Sequence, residues 1–168
     1  MNGINKRKIT ILLFGIYVFI LLWIILFKMS FSVSEIVSLS GDRSINLIPF
    51  YYLTEVNFHL REVISNILIF VPLGIYLKMF DINSKKIILY GFIFSILLEL
   101  IQFVFKIGAF DITDIITNTT GAILGVGGYI LLEKIFSNKE KINNILRIIA
   151  LIVTILFLLL IVLLIISN

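Results

Sequence analysis

The chain has 168 residues, of which 60% are hydrophobic and 14% are charged, and its mean hydropathy is +1.15. A soluble globule of this length could not cover so much apolar surface, so the composition excludes a water-soluble domain and favours a membrane protein. The formal charge of +4 is spread between apolar runs, which argues against a nucleic-acid partner, and the absence of cysteine excludes disulfide and thiolate chemistry.

The apolar runs predict an all-α polytopic transmembrane helix bundle in a single domain of residues 1–168. A helix needs roughly 20 apolar residues to cross a hydrocarbon core of about 30 Å. The segments that approach this length are 9–27, 63–80, 87–105, 112–136 and 148–166. The first is longer than a signal-peptide core and has no small-x-small cleavage site after it, so we expect it to be retained. The chain is therefore expected in the bacterial cell membrane, in contact with membrane lipids.

The distribution of basic residues predicts the orientation of the chain. The side of the membrane on which the N-terminus lies holds ten of them: Lys6, Arg7, Lys8, Lys78, Lys85, Lys86, Lys134, Lys139, Lys141 and Arg147. The loops on the opposite side hold four: Lys28, Arg43, Arg61 and Lys106. Because cytoplasmic loops carry the excess of Lys and Arg, the N-terminus is predicted inside and the C-terminus outside.

The first half of the fourth segment, residues 112–120, is too polar to face lipid. Two interpretations are open: this half packs inside the bundle, or it is a shallow or re-entrant piece buried in protein. Gly121, Gly125 and Gly128 follow at spacings of four and three, which leaves one helix face bare. A bare face predicts close approach of a neighbouring helix.

Charged side chains within membrane segments cost roughly 2.5–3.5 kcal/mol each to insert, so they are candidates for function. In the predicted orientation, the polar residues gather in the outer halves of the second, third and fourth segments, where they can surround one pocket. These candidate ligand-binding residues are Arg61, Glu62, Asn66, Glu99, Gln102, Asp111, Asp114 and Asn118.

Most of these residues also have a structural explanation. Asp111 can cap the fourth helix, and Asp114 in its first turn is favoured by the helix dipole. Glu62 has the same explanation in the first turn of the second helix. The amide side chains can hold helices together by hydrogen bonds. A functional role is compatible with each of these structural explanations.

Glu99 is the hardest to explain structurally, because a cap or a snorkelling side chain does not account for a short carboxylate at that depth. It must be protonated or paired, with Arg61 or Lys106 as the nearest plausible partners. With one histidine in the chain, carboxylates would perform any acid–base chemistry, and the catalytic candidates are Glu99, Asp111 and Asp114. Motifs for a phosphate loop, a histidine metal pair or a serine elbow are absent, so no metal and no cofactor are predicted.

Four linked motifs stand in order between residues 44 and 128. They are Asn46-Leu47-Ile48-Pro49-Phe50, then Arg61-Glu62 with Asn66, Phe70, Pro72 and Gly74, then Glu99-Leu100-Ile101-Gln102, and Asp111-Ile112-Thr113-Asp114 with Asn118 and Gly121. In order and spacing they resemble the VanZ-like family, whereas the first segment and the C-terminal membrane helix at 148–166 agree only in hydropathy. The resemblance implies low-level resistance of a Gram-positive bacterium to teicoplanin, a lipoglycopeptide that binds peptidoglycan precursors on the outer face. It also adds Asn46 to the candidate ligand-binding residues.

Three kinds of function are compatible with these residues. In the first, which we favour, the outer-leaflet pocket engages a lipid-linked peptidoglycan precursor or a partner and lowers the access of the antibiotic. In the second, Glu99 and an Asp act as acid and base of an enzyme on a lipid-linked envelope substrate. The third is a transporter, which is the weakest because five spans without an internal repeat do not match alternating-access architecture.

Overall fold

The computed structural model describes residues 3–27, 44–51 and 58–167. Five helices make up most of these residues: α1 (Gly3–Phe27), α2 (Phe58–Met79), α3 (Ser84–Phe105), α4 (Ile112–Ile135) and α5 (Lys139–Ser167). Two short strands, β1 (Ile45–Asn46) and β2 (Phe110–Asp111), pair in parallel, with Asn46 opposite Asp111. Each of the five described helices contains a stretch long and apolar enough to cross a membrane, so the predicted fold class is confirmed.

The fifth helix begins at Lys139, well before the predicted start at residue 148. Its start is capped, since Oδ1 of Asn138 accepts a hydrogen bond from the backbone N–H of Lys141 at 3.0 Å. Hydropathy marks only the part of a helix that suits lipid, and here polar residues extend the same helix towards its N-terminus. Residues 137–147, which separate the fourth and fifth predicted segments, are therefore mostly helical.

The polar first half of the fourth segment is helical and continuous with the apolar half. α4 runs without a break from Ile112 to Ile135, and Thr113, Thr117 and Asn118 are buried. Burial in protein removes these polar groups from lipid. The interpretation that this half packs inside the bundle therefore agrees with the structure, and a re-entrant break does not.

The chain forms two compact units, one of residues 21–130 and one of residues 1–20 with 131–168. In the second unit an ion pair joins Lys6 of α1 to Glu140 of α5, and Nζ of Lys139 lies 3.5 Å from a carboxylate oxygen of Glu133. All the candidate site residues belong to the unit of residues 21–130.

In the unit of residues 21–130, α2 and α4 lie so close together that their backbones are in contact. A Cβ added at Gly121 would overlap the carbonyl oxygen of Ile67, and one added at Gly125 would overlap that of Val71. The predicted glycine contact is confirmed at these two positions. It is wrong for Gly128, which is exposed and has nothing within 4 Å of an added Cβ. Helices that cross at close range separate on either side of the crossing, so the glycine pattern extends further than the contact.

Candidate functional site

Polar side chains from α2, α3, the start of α4 and the segment 44–51 meet in one part of the unit of residues 21–130. We call this set the polar cluster, and its members are Asn46, Asn66, Ser95, Glu99, Asp111, Thr113, Asp114 and Asn118. Hydrogen bonds between residues far apart in sequence hold it together. The elements that carry these residues therefore meet at the cluster.

Asp111, the last residue before α4, accepts hydrogen bonds through both carboxylate oxygens. Oδ1 accepts from the backbone N–H of Thr113 at 2.7 Å, which is the geometry of a helix N-cap. Oδ2 accepts from Nδ2 of Asn46 at 3.0 Å. The capping role considered for Asp111 is thus present, and the second contact ties the segment 44–51 to the start of α4.

Hydrogen bonds hold the segment 44–51 against the residues that precede and begin α4. The backbone N–H of Phe110 donates to the carbonyl of Ser44 at 3.0 Å, and that of Phe50 donates to Oγ1 of Thr113 at 3.1 Å. Within the segment, Oδ1 of Asn46 accepts from the backbone N–H of Ile48 at 3.2 Å. Both polar atoms of the Asn46 amide are therefore engaged, which fixes the side chain against Asp111.

Glu99 lies on α3 and is 1% exposed. Its Oε2 accepts a hydrogen bond from the backbone N–H of Asp111 at 2.9 Å. The expected pairing with Arg61 or Lys106 is wrong: both are exposed, and no Lys or Arg in the described part of the chain forms an ion pair with Glu99. Three other carboxylates lie within electrostatic range of Glu99, those of Glu62, Asp111 and Asp114.

Two further amide side chains join helices along α4. Nδ2 of Asn66 on α2 donates to Oδ1 of Asp114 at 2.8 Å. Nδ2 of Asn118 donates to Oγ of Ser95 on α3 at 2.9 Å. Oδ1 of Asn118 accepts no hydrogen bond, and among the described residues it is the one buried side-chain oxygen or nitrogen in that condition.

Three of the residues predicted from the sequence have other surroundings. Arg61 and Glu62 are exposed in the first turns of α2. Gln102 is buried on α3, but its Nε2 donates to the backbone carbonyl of Ile25 on α1 at 3.0 Å. Gln102 therefore holds α1 to α3, which is the structural role considered for the amides.

Ser95 and Thr113 belong to the polar cluster but are not among the residues predicted from the sequence. A signal for Ser95 does exist, because it precedes Glu99 by four residues and Gln102 by seven, which places all three on one face of α3. Thr113 gives no such signal. Its hydroxyl accepts a backbone hydrogen bond from Phe50, which is 63 residues away.

The chemistry of the cluster is that of carboxylate, amide and hydroxyl groups. Among residues 3–27, 44–51 and 58–167, no group of three or more His, Cys, Asp or Glu side chains is arranged to hold a metal ion. Such a cluster can bind a ligand by charge and by hydrogen bonds. Its use as a binding site, and the catalytic roles considered for Glu99, Asp111 and Asp114, remain predictions.

The comparisons with known proteins agree with this architecture. The VanZ/LLP1 family model matches residues 14–133, a range that contains the whole polar cluster. A curated relative, Protein VanZ of Enterococcus faecium, is 34% identical over 148 residues, which cover 85% of this chain and 86% of the relative. No solved structure matches the chain. With five helices in its described part that can each cross a membrane, it is a multi-pass protein of the cell membrane. The chain belongs to the VanZ/LLP1 family.

Proposed function

We propose that this chain confers low-level resistance to teicoplanin and that the polar cluster carries the activity. In the orientation predicted from the basic residues, the cluster lies in the outer half of the membrane. Teicoplanin meets its peptidoglycan precursors on that side. The cluster engages a lipid-linked cell-wall precursor or a partner protein and so lowers the access of the antibiotic to its target. Membership of the family supports the resistance, and the gathering of polar groups supports the site.

The observation that carries the proposal is the buried carboxylate of Glu99 on a membrane-spanning helix. Its hydrogen-bond partner among the described residues is a backbone N–H, and no described Lys or Arg forms an ion pair with it. A neutral side chain of the same shape would fill this position at lower cost in free energy. The carboxyl group is therefore expected to be needed for function rather than for stability.

Binding is favoured over catalysis by the way the two central carboxyl groups are held. An acid–base pair needs both groups within reach of the reacting atoms. Both oxygens of Asp111 accept hydrogen bonds from the protein, and Glu99 contacts the backbone of Asp111 rather than its carboxylate. This arrangement leaves the carboxyl group of Glu99 to accept from a ligand, and no second carboxyl group of the described residues is paired with it as acid or base.

The test replaces carboxylates by amides of the same shape. Glu99→Gln and Asp114→Asn are each expected to abolish teicoplanin protection in a susceptible Gram-positive host, while the protein still reaches the membrane in normal amount. Because the shape is kept, a loss of protection reports on the charge or the proton. Glu140→Gln makes the same chemical change in α5, outside the cluster, and should keep full protection. The measurement is the minimum inhibitory concentration at matched membrane levels.

Full protection by both variants at matched levels would contradict the proposed site. The mechanism is tested separately, by comparing the masses of envelope lipids and precursors in cells with and without the protein. A new mass that depends on Glu99 would establish the enzyme alternative. Protection with unchanged masses would support binding.

A further inference from the structure

Asn118 and Ser95 form a wholly buried polar pair between α4 and α3. They are 1% and 0% exposed, and Nδ2 of Asn118 donates to Oγ of Ser95, while Oδ1 accepts nothing. Turning the amide by 180° would still leave one of its two polar atoms without a partner. Oδ1 would then accept from the serine hydroxyl, and Nδ2 would be left without an acceptor. A buried polar group without a partner lowers stability, so Oδ1 of Asn118 is an acceptor open to a donor from a ligand.

This pair is the inner end of the polar cluster. Ser95 precedes Glu99 by one turn of α3, so the two side chains lie on the same face. One turn deeper the interface between α3 and α4 is tight and apolar, since a Cβ added at Gly91 would lie 2.9 Å from the Cβ of Ala122. A ligand group that reaches Asn118 would therefore enter from the side of Glu99.

The groups around this position are mainly hydrogen-bond acceptors. The described partners of the Glu99 and Asp111 carboxylates are neutral N–H groups, and neither carboxylate forms an ion pair with a Lys or Arg of the described residues. Carboxylates in a protein interior favour a compensating positive charge. Oδ1 of Asn118 lacks a donor. One ligand group with a positive charge and several N–H donors would satisfy both requirements.

We propose that the polar cluster binds a primary ammonium group, which donates hydrogen bonds to Oδ1 of Asn118 and to the carboxylate of Glu99. This assignment rests on the proposed function, because it takes the cluster as a ligand site and names the chemistry of the group bound there. A hydroxyl would supply a donor without charge, and a quaternary ammonium would supply charge without a donor. A primary ammonium supplies both the charge and the donors.

The test uses three probes with the same alkyl chain on the purified full-length protein in a non-ionic detergent at neutral pH. Octylammonium is expected to bind and to raise the melting temperature by roughly 3 °C at ten times its Kd. Octyltrimethylammonium carries the charge without N–H donors, and octanol carries a donor without the charge. Neither should produce a comparable shift. Equal shifts from all three would reveal partition into the micelle and overturn the assignment, and so would the absence of a shift with octylammonium.

Variants locate the site. Asn118→Leu and Glu99→Gln should each weaken octylammonium binding about tenfold or more, because the first removes an acceptor for the ammonium group and the second removes the opposite charge. If Asn118→Leu reduces the folded yield, Ser95→Ala is the smaller substitution at the same pair. It removes the acceptor that holds the Asn118 amide, and it should also weaken octylammonium binding. Thr120→Val is the matched control on α4, since that hydroxyl bonds the carbonyl of Ile116 in its own helix. Unchanged affinity in the Asn118 and Glu99 variants would overturn the assignment.

The result of the octylammonium experiment can be distinguished from the result of the teicoplanin experiment. If Glu99→Gln loses teicoplanin protection but the parent protein does not bind octylammonium, the ammonium assignment fails and the proposed function stands. If the parent binds octylammonium through Asn118 and Glu99 but Glu99→Gln and Asp114→Asn both protect fully, the proposed function of the cluster fails and the ligand chemistry stands.

Discussion

α4 and α5 are both long enough to cross a membrane, yet they relate to the rest of the protein in opposite ways. In α4, 44% of the most apolar stretch is buried inside the protein, whereas in α5 the share is 0%. α4 carries threonines, an asparagine, an aspartate and the glycines of the helix crossing, and α5 is almost purely aliphatic beyond its first turns. Lipid solvates an aliphatic helix fully, so only polar groups and bare backbone require protein neighbours.

The difference explains where the candidate site lies. α4 meets α2 through its glycines, and it meets α2 and α3 through a hydrogen bond that Asp114 accepts and one that Asn118 donates. Close backbone approach brings the short polar side chains within hydrogen-bond distance. In α5, the described side chains beyond the first turns offer few groups of this kind. Between these two helices, the one with more polar and glycine residues is therefore the more buried.

The largest effect is expected where α4 touches backbone. Gly125→Leu should destabilise the fold by about 3 kcal/mol or more, because the new side chain overlaps the carbonyl of Val71, which cannot move aside as a side chain could. Gly128→Leu makes the same substitution on the same helix in open space and should leave stability nearly unchanged. Folded yield and melting temperature in detergent are the measurements. Equal yields and melting temperatures for the two variants would show that α2 and α4 do not cross at Gly125.

Hydropathy was enough to predict the helical fold, because lipid imposes the same length and apolar character on every span. Helix ends were predicted less well, as at Lys139, because a helix can continue into water. Within the site, the shared position in the outer halves of the segments indicated that Glu99 can meet the start of the fourth segment, and the hydrogen bond that it accepts from the backbone N–H of Asp111 agrees with this. The partner of Gln102 was not predictable, since periodicity gives the face of a helix and not the neighbour that meets it.

The contact between the segment 44–51 and the start of α4 also could not be predicted from the sequence. The two strands that pair there have two residues each, too few for a periodic pattern. Their partners Asn46 and Asp111 are 65 residues apart. The resemblance to a family indicated that Asn46 and Asp111 belong to one site, whereas the geometry that joins them is visible only in the structure.

A smaller effect is expected at the cap of α4. Asp111→Ala should lower the free energy of unfolding by about 1 kcal/mol, because it removes the acceptor for the backbone N–H of Thr113 and for the amide of Asn46. Asp111→Asn keeps an oxygen in the capping position and should lose less. The comparison is made by reversible unfolding in mixed detergent and SDS micelles. If both variants lose the same amount, the charge rather than the cap stabilises this end of α4.

The smallest effect on stability is expected on α5, and it tests whether this helix contacts lipid rather than protein. Leu159 is 54% exposed, so Leu159→Ala removes atoms that contact lipid and should change the free energy of unfolding by less than about 0.5 kcal/mol. Leu98 on α3 is 1% exposed, and Leu98→Ala should cost about 2 kcal/mol through the packing contacts that it loses. The chemical change is identical, so the difference between the two variants measures protein contact alone. A cost at Leu159 equal to that at Leu98 would mean that α5 packs against protein in the membrane, and the contrast between α4 and α5 would then reflect a missing partner rather than lipid.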